Sequence, residues 1–353
     1  MGELEEILRA AVESHASDVH IQVGRSPMLR TAKRLVSLPG KALDAAATER
    51  LIFSAMSAAQ RQRFEERLEL DFSYGLPDLA RFRMHVFRER GAVAGAFRRL
   101  PLVIPTPESL GLPRAVIDLT RLRRGLVVVT GAAGHGKSTT LAALLDRINH
   151  ERAAHIVTLE DPIEYVFEHK SSIVVQREVG VDTPSFEAGL RAVLREDPDV
   201  ILVGEMRDQP TVEAALTAAE TGHLVFATLH TQNAAQSIDR IVDVFAAHQH
   251  PQTRVQLSNV LRAVVTQQLV ARRDRAELCL AVELLLANAA IRNLIRDGKA
   301  FQIQSVLQTG TAAGMVTMEA SLKALCDRGL ITADDAMEHA IDDKEMARLL
   351  GRR

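Results

Sequence analysis

Leu126-Val-Val-Val-Thr130 runs into Gly131-Ala-Ala-Gly-His-Gly-Lys137-Ser138-Thr139-Thr140, and the reading of this stretch decides the fold. The apolar run is a buried strand. Gly131, Gly136, Lys137 and Ser138 complete the G-x-x-x-x-G-K-[ST] spacing, in which glycines let backbone N–H groups turn inward onto phosphate oxygens. Leu141, Leu144, Leu145 and Ile148 then recur at the spacing of a helix packed on a sheet. That helix aims its positive N-terminal end at bound phosphate. A nucleoside triphosphate site is therefore expected, built from Gly131, Ala132, Ala133, Gly134, His135, Gly136, Lys137, Ser138 and Thr139.

Working outward, strand-like runs at Ile156–Leu159, Asp199–Val203 and Leu224–Leu229 alternate with helical patterns from about residue 120. Such alternation implies a largely parallel sheet covered by helices. Beyond about 285 the pattern is helical, and Thr332-Ala-Asp-Asp335 has capping-box spacing for a last helix. Residues 1–99 read as a separate α+β module. It has a helix over Leu4–Val12, alternation over Ser17–Val23, a helix over Ala45–Leu68, and strands near Arg81–Phe87 and Ala92–Phe97. Proline-rich residues 100–119 read as a linker, leaving 120–353 as the nucleotide-binding domain with C-terminal helices.

Composition removes several classes. With a net charge of −2, no Trp and only two Tyr, the chain lacks the basic excess and stacking residues of a nucleic-acid motor. Cys279 and Cys326 are too few for a disulfide framework or a four-cysteine zinc site. The acidic start lacks the features of a signal peptide, and the apolar run Leu278–Ile291 is broken by Glu283 and too short to span a bilayer. A cytoplasmic protein without direct membrane insertion is expected.

Two further strands end in acids. Val200–Val203 leads into Gly204-Glu205, the arrangement a metal-coordinating Walker B position needs. Ile156–Leu159 leads into Glu160-Asp-Pro-Ile-Glu164, where a carboxylate can orient and deprotonate the attacking water. His223 and His230 bracket the run Leu224–Leu229 and are candidate donors that sense a γ-phosphate. Lys137 is the expected point charge on the β- and γ-phosphates, and Ser138 the expected hydroxyl ligand of Mg2+.

Together, Gly131–Thr140, Glu160–Glu164, Arg195–Arg207 and Thr221–His230 resemble the Walker A, Asp box, Walker B and His box of the secretion-superfamily ATPases. Ala290-Ile-Arg-Asn-Leu-Ile-Arg296 resembles a string typical of the PilT family of type IV pilus retraction motors. The resemblance implies a PAS-like N-terminal domain and a RecA-like ATPase domain in a homohexameric ring, with ATP between the domains. It further implies Glu164 as general base, Glu205 holding Mg2+ partly through water, and His223 and His230 as sensing histidines. N-terminal arginines would complete the site, with Arg83 and Arg98 as candidates. It implies ATP hydrolysis that drives pilus retraction and twitching motility, at the cytoplasmic face of the inner membrane. The partners it implies are a membrane platform protein and an accessory retraction ATPase. Any partner-specific role would lie with Arg292, Asn293 and Arg296, because Ile291, Leu294 and Ile295 make the packed face.

The sequence also departs from the family. Ala132, Ala133 and His135 replace the usual Pro-Thr and Ser, and the titratable His135 predicts a pH-sensitive nucleotide affinity. Other readings are a pilus assembly or type II secretion ATPase and a nucleotide-regulated subunit with little turnover. Assembly enzymes usually carry a longer N-terminal region and a four-cysteine zinc module, neither of which this sequence contains.

Overall fold

Alternation builds the first sheet. The computed structural model describes residues 2–31, 34–77, 79–275 and 277–352, grouped as Met1–Val103 with Pro162–Val166, and Ile104–Asp161 with Phe167–Arg353. The first unit runs α1 (Glu3–Glu13), β1 (Asp18–Ile21), β2 (Met28–Thr31), β3 (Arg34–Ser37), α2 (Ala45–Phe53), α3 (Ala58–Arg67), β4 (Glu69–Leu76), β5 (Ala80–Glu89) and β6 (Ala92–Leu100). Its sheet has the order β3-β2-β1-β6-β5-β4. Along β5 the residues Phe82, Met84 and Val86 are buried, in one core with Leu4, Leu8, Leu51, Ile52 and Phe64 of the three helices. The intervening Arg81, Arg83 and His85 lie on the other face.

The single helix read over Ala45–Leu68 is two. Ser57 accepts from Gln60 N while the Gln60 side chain accepts from Ser57 N, and this reciprocal cap starts α3 afresh. β2 and β3 carry no clear signal in the sequence, whereas β4 was missed although Glu69-Leu-Asp-Phe-Ser-Tyr-Gly-Leu76 alternates polar and apolar residues. β3 lies at the sheet edge with all four residues exposed, so no buried apolar face marks it.

The second unit runs α4 (Arg114–Ile117), β7 (Gly125–Thr130), α5 (Lys137–Glu151), β8 (His155–Glu160), β9 (Ile173–Glu178), α6 (Phe186–Val193), β10 (Val200–Val203) and α7 (Gln209–Glu220). It continues through β11 (Leu224–Leu229), α8 (Ala234–Asp243), α9 (His250–Val260), β12 (Leu261–Ala271), β13 (Leu278–Leu286) and α10 (Ala289–Arg296). The final helices are α11 (Ile303–Thr309), α12 (Met318–Asp327), α13 (Ala333–Glu338) and α14 (Asp343–Leu349). Sheet order is β13-β12-β7-β11-β10-β8-β9. All pairs are parallel except β12–β13.

β7 is central, and all six of its residues are buried. Because β7, β10 and β11 are parallel and in register, the residues that follow them lie along one edge of the sheet. The apolar run from Leu278 is the strand β13 followed by α10. The Thr332 capping box starts α13, but α14 follows it as the last helix. Within the segment read as a linker, Arg114–Ile117 is helical. No helix among the described residues is long and apolar enough to cross a membrane.

Candidate active site

The loop after β7 is shaped by glycine. Gly131 has φ +142°, and a β-carbon there would collide with the carbonyl oxygen of Gln267 on β12. Gly136 takes a left-handed conformation as the N-cap of α5. Lys137, the first residue of that helix, is buried, and its Nζ donates to the carbonyls of Gly131 at 2.8 Å and Ala132 at 3.0 Å. Ser138 is exposed at the same helix start. Below the loop, Gln267 Nε2 donates to Thr140 Oγ1 at 2.8 Å, tying β12 to α5.

His135 belongs to the frame of this loop. Leu269 N donates to its Nδ1 at 3.1 Å, so that nitrogen is unprotonated. Burial, then the His339 and Lys137 charges, lower its pKa below 6.5. The ring is neutral near neutral pH, and the pH sensitivity expected of this residue moves into the acid range.

A row of polar groups crosses from the loop to β10. His230 Nδ1 is 3.4 Å from Lys137 Nζ, and its Nε2 is 3.3 Å from Glu205 Oε1. Arg207 Nε reaches the same Glu205 oxygen at 2.6 Å. Burial pushes the Glu205 carboxyl up, but the hydrogen bond and charge of Arg207, with a hydrogen bond from His230, outweigh it and hold the pKa below the ordinary value.

Backbone geometry fixes the row. Gly204 N donates to Leu159 O at 2.8 Å, and the Thr228 hydroxyl donates to Gly204 O. At Gly204 a β-carbon would stand 3.0 Å from Leu159 O, so a larger residue there would push the strand ends apart by a few tenths of an ångström. On the other side, Thr231 N donates to Thr130 Oγ1 at 3.0 Å, holding the residue after His230 against the end of β7.

The expected residues separate into those the fold brings together and those it does not. Lys137, Glu205 and His230 converge. His223 does not: it precedes β11, where Leu224 pairs with Gly125, whereas Leu229 pairs with Thr130 beside the loop. Six strand residues stand between the two histidines, roughly 20 Å of extended chain. His223 Nδ1 instead caps Ala218 O at 2.9 Å.

Glu160 is occupied by hydrogen bonds from Thr158 and Gln176 at 2.7 and 3.1 Å. Glu164 lies in the segment Pro162–Val166 that groups with the first unit. In that unit Arg83 and Arg98 are direct cross-strand partners, paired with Asp71 at 3.3 Å and Asp18 at 3.0 Å. Arg207 was missed, although it stands two residues after Glu205 in the same segment. A cavity of about 410 Å³ adjoins the loop, lined by Gly136, Thr139, Leu269, Arg272, Cys279 and Leu110.

A family model described as type II/IV secretion system protein matches residues 113–284. The chain is 46% identical over 340 residues to the type IV pilus retraction ATPase PilT of Pseudomonas aeruginosa, covering 96% of this chain and 98% of that one. It is 46% identical over 324 residues to a twitching motility protein of Neisseria gonorrhoeae, covering 91% and 86%. Among solved structures it is similar to the pilus retraction motor PilT with bound ADP, at a TM-score of 0.91 and 48% identity over 99% of both chains. The fold is thus a RecA-like ATPase domain preceded by an α+β N-terminal domain.

Proposed function

The chain belongs to the PilT family of secretion ATPases, and we propose that it is a homohexameric motor that hydrolyses ATP to retract type IV pili. The row Lys137–His230–Glu205–Arg207 at the phosphate loop carries this reading. In it, PAS-like residues 1–99 and RecA-like residues 120–353 are joined by the 100–119 linker.

The exposed loop backbone and the start of α5 bind the phosphates, and Lys137 transfers its hydrogen bonds from loop carbonyls to phosphate oxygens. The cavity beside Thr139 takes the nucleoside. Ser138 and the ionised Glu205 are hard oxygen donors suited to Mg2+, Glu205 partly through water. When bound, Mg2+ neutralises charge on the β- and γ-phosphates.

Glu164 orients and deprotonates the attacking water, and His230 turns its Nε2–H from Glu205 toward the γ-phosphate. Arg83 and Arg98 neutralise charge growing on the transferred group. His223 serves as the second sensing histidine in the assembled ring. Arg292, Asn293 and Arg296 pass force to partners, namely an inner-membrane platform protein and an accessory ATPase, at the cytoplasmic face of that membrane.

The test is a count of surface pili, with filament shortening followed by microscopy, in the source organism lacking the gene. Excess pili that never shorten, restored by wild type but not by Glu164→Ala, are expected. Bald cells mean an assembly motor. Rescue by a Glu164→Ala variant that no longer hydrolyses ATP means a nucleotide-regulated subunit.

A further inference from the structure

At the end of the seven-stranded sheet opposite the phosphate loop, three arginines converge without a carboxylate. Arg124 immediately precedes β7, Arg262 is the second residue of β12, and Arg292 is the fourth residue of α10. Local geometry forces them together. The pairing of β12 with β7 shifts between Leu261 and Ala263, leaving Arg262 out of register. Its stem lies across Gly125, where a β-carbon would stand 2.6 Å from Arg262 Cγ and 2.7 Å from Nε, so the residue after Arg124 has to be glycine.

Arg262 O accepts from Ala287 N at 2.9 Å, anchoring the chain just before the Asn288 cap of α10. Ile291 and Ile295 turn into the core, which leaves Arg292 half-buried on the flank.

Among the described residues, no acidic side chain pairs with any of the three. Nearby Arg114 and Arg121 show the contrast, since both pair with Asp118 at 3.2 and 3.5 Å. Arg262 Nη1 donates to the backbone carbonyls of Asn259 and Leu261 at 2.9 and 3.2 Å. Arg292 Nε is buried with no hydrogen-bond partner. Burial, then the charges of Arg292 and Arg124, push the Arg262 guanidinium below its usual range. The whole chain carries a net charge of −2, so this positive excess is local.

We propose that Arg124, Arg262 and Arg292 form a docking site for an acidic segment of a partner protein, whose Asp or Glu side chains complete the cluster. Planar guanidinium forks match carboxylates bidentately. Arg262 and Arg292 are half-buried while Arg124 is exposed, and guanidinium groups at unequal depth suit protruding side chains rather than a flat layer of lipid headgroups. The site is also placed to speak to the nucleotide. β7 links Arg124 to Gly131, and β12 carries both Arg262 and Gln267, which holds Thr140. This docking site holds whether the motor retracts or assembles pili.

The test uses the full chain and a fluorescent decaglutamate peptide, followed by anisotropy at low and moderate salt. Wild type binds, more weakly as salt rises, and Arg124→Gln and Arg292→Gln each weaken binding about tenfold, the size of one lost charge-assisted hydrogen bond. Arg121→Gln leaves binding unchanged, and melting midpoints at or above wild type show that the variants are folded. Arg124 is exposed, so its variant keeps the test open should Arg292→Gln fail to fold. The proposal is overturned by no binding, or by an equal loss in Arg121→Gln. It is also overturned if phosphatidylglycerol vesicles, and not the peptide, bind through these arginines, or if the peptide splits the oligomer in light scattering, which would assign the cluster to a second copy of the chain.

Discussion

Arg207 Nε lies 2.6 Å from Glu205 Oε1, the oxygen that His230 Nε2 approaches at 3.3 Å. An ammonium group has only donors, so the His230 nitrogen facing Lys137 is the acceptor and Nε2 carries the proton toward Glu205. One basic row thus spans the phosphate loop and the Walker B strand, and keeps a half-buried carboxylate ionised.

Arg207→Gln should therefore raise the Glu205 pKa, because burial continues to push it up while its strongest hydrogen-bond donor is gone. The acid limb of the kcat/KM profile for ATP should move to higher pH. An unmoved limb would show that Arg207 does not tune Glu205.

Glu164→Gln should keep nucleotide affinity while turnover falls about 10²- to 10⁴-fold, the usual contribution of a general base. Calorimetric titration with nucleotide, beside steady-state hydrolysis, checks this. Turnover within threefold of wild type would remove Glu164 from that role.

Gly131→Ala should damage the loop from its base. The backbone at φ +142° disfavours any side chain, and the new methyl group meets Gln267 O. Backbone strain alone costs about 1–3 kcal/mol, so both the melting midpoint and nucleotide affinity should fall. Ala133→Gly, at an exposed loop position without that contact, is the control.

Glu283 should make stability depend on pH. Burial chiefly, with Glu319 adding and hydrogen bonds from Ala234 and Thr266 opposing, raises its pKa from 4.5 to about 7. The folded state then holds the proton more tightly than the unfolded chain. Stability is lost as pH rises between 4.5 and about 7, by on the order of 3 kcal/mol, and stays flat above. Glu283→Gln keeps the buried group neutral and should flatten this slope, read from urea unfolding on both sides of the window. An unchanged slope would move the titration to another group.

How much was legible depends on how local each signal is. The phosphate loop, the buried β7 and the apolar stripe of α5 lie within one short stretch, so the Lys137 site was readable from spacing. The ends of β10 and β11 were readable as well, because Glu205 and His230 directly follow apolar runs. The break at Ser57 was missed although Ser57-Ala-Ala-Gln60 has the capping-box spacing of a helix start. Arg207 was missed because its role depends on which way a side chain turns after the strand.

By itself, the sequence determined the alternation of strands and helices around the phosphate loop, the loop itself and the family, since each rests on contiguous residues whose periodicity and glycine spacing act over a few positions. Tertiary structure alone decided the convergences. It seated Arg207 on Glu205, buried Glu283 beside Glu319, and gathered Arg124, Arg262 and Arg292 from three distant segments. Parallel register and side-chain packing set those distances, and both depend on residues that are neighbours only after the chain has folded.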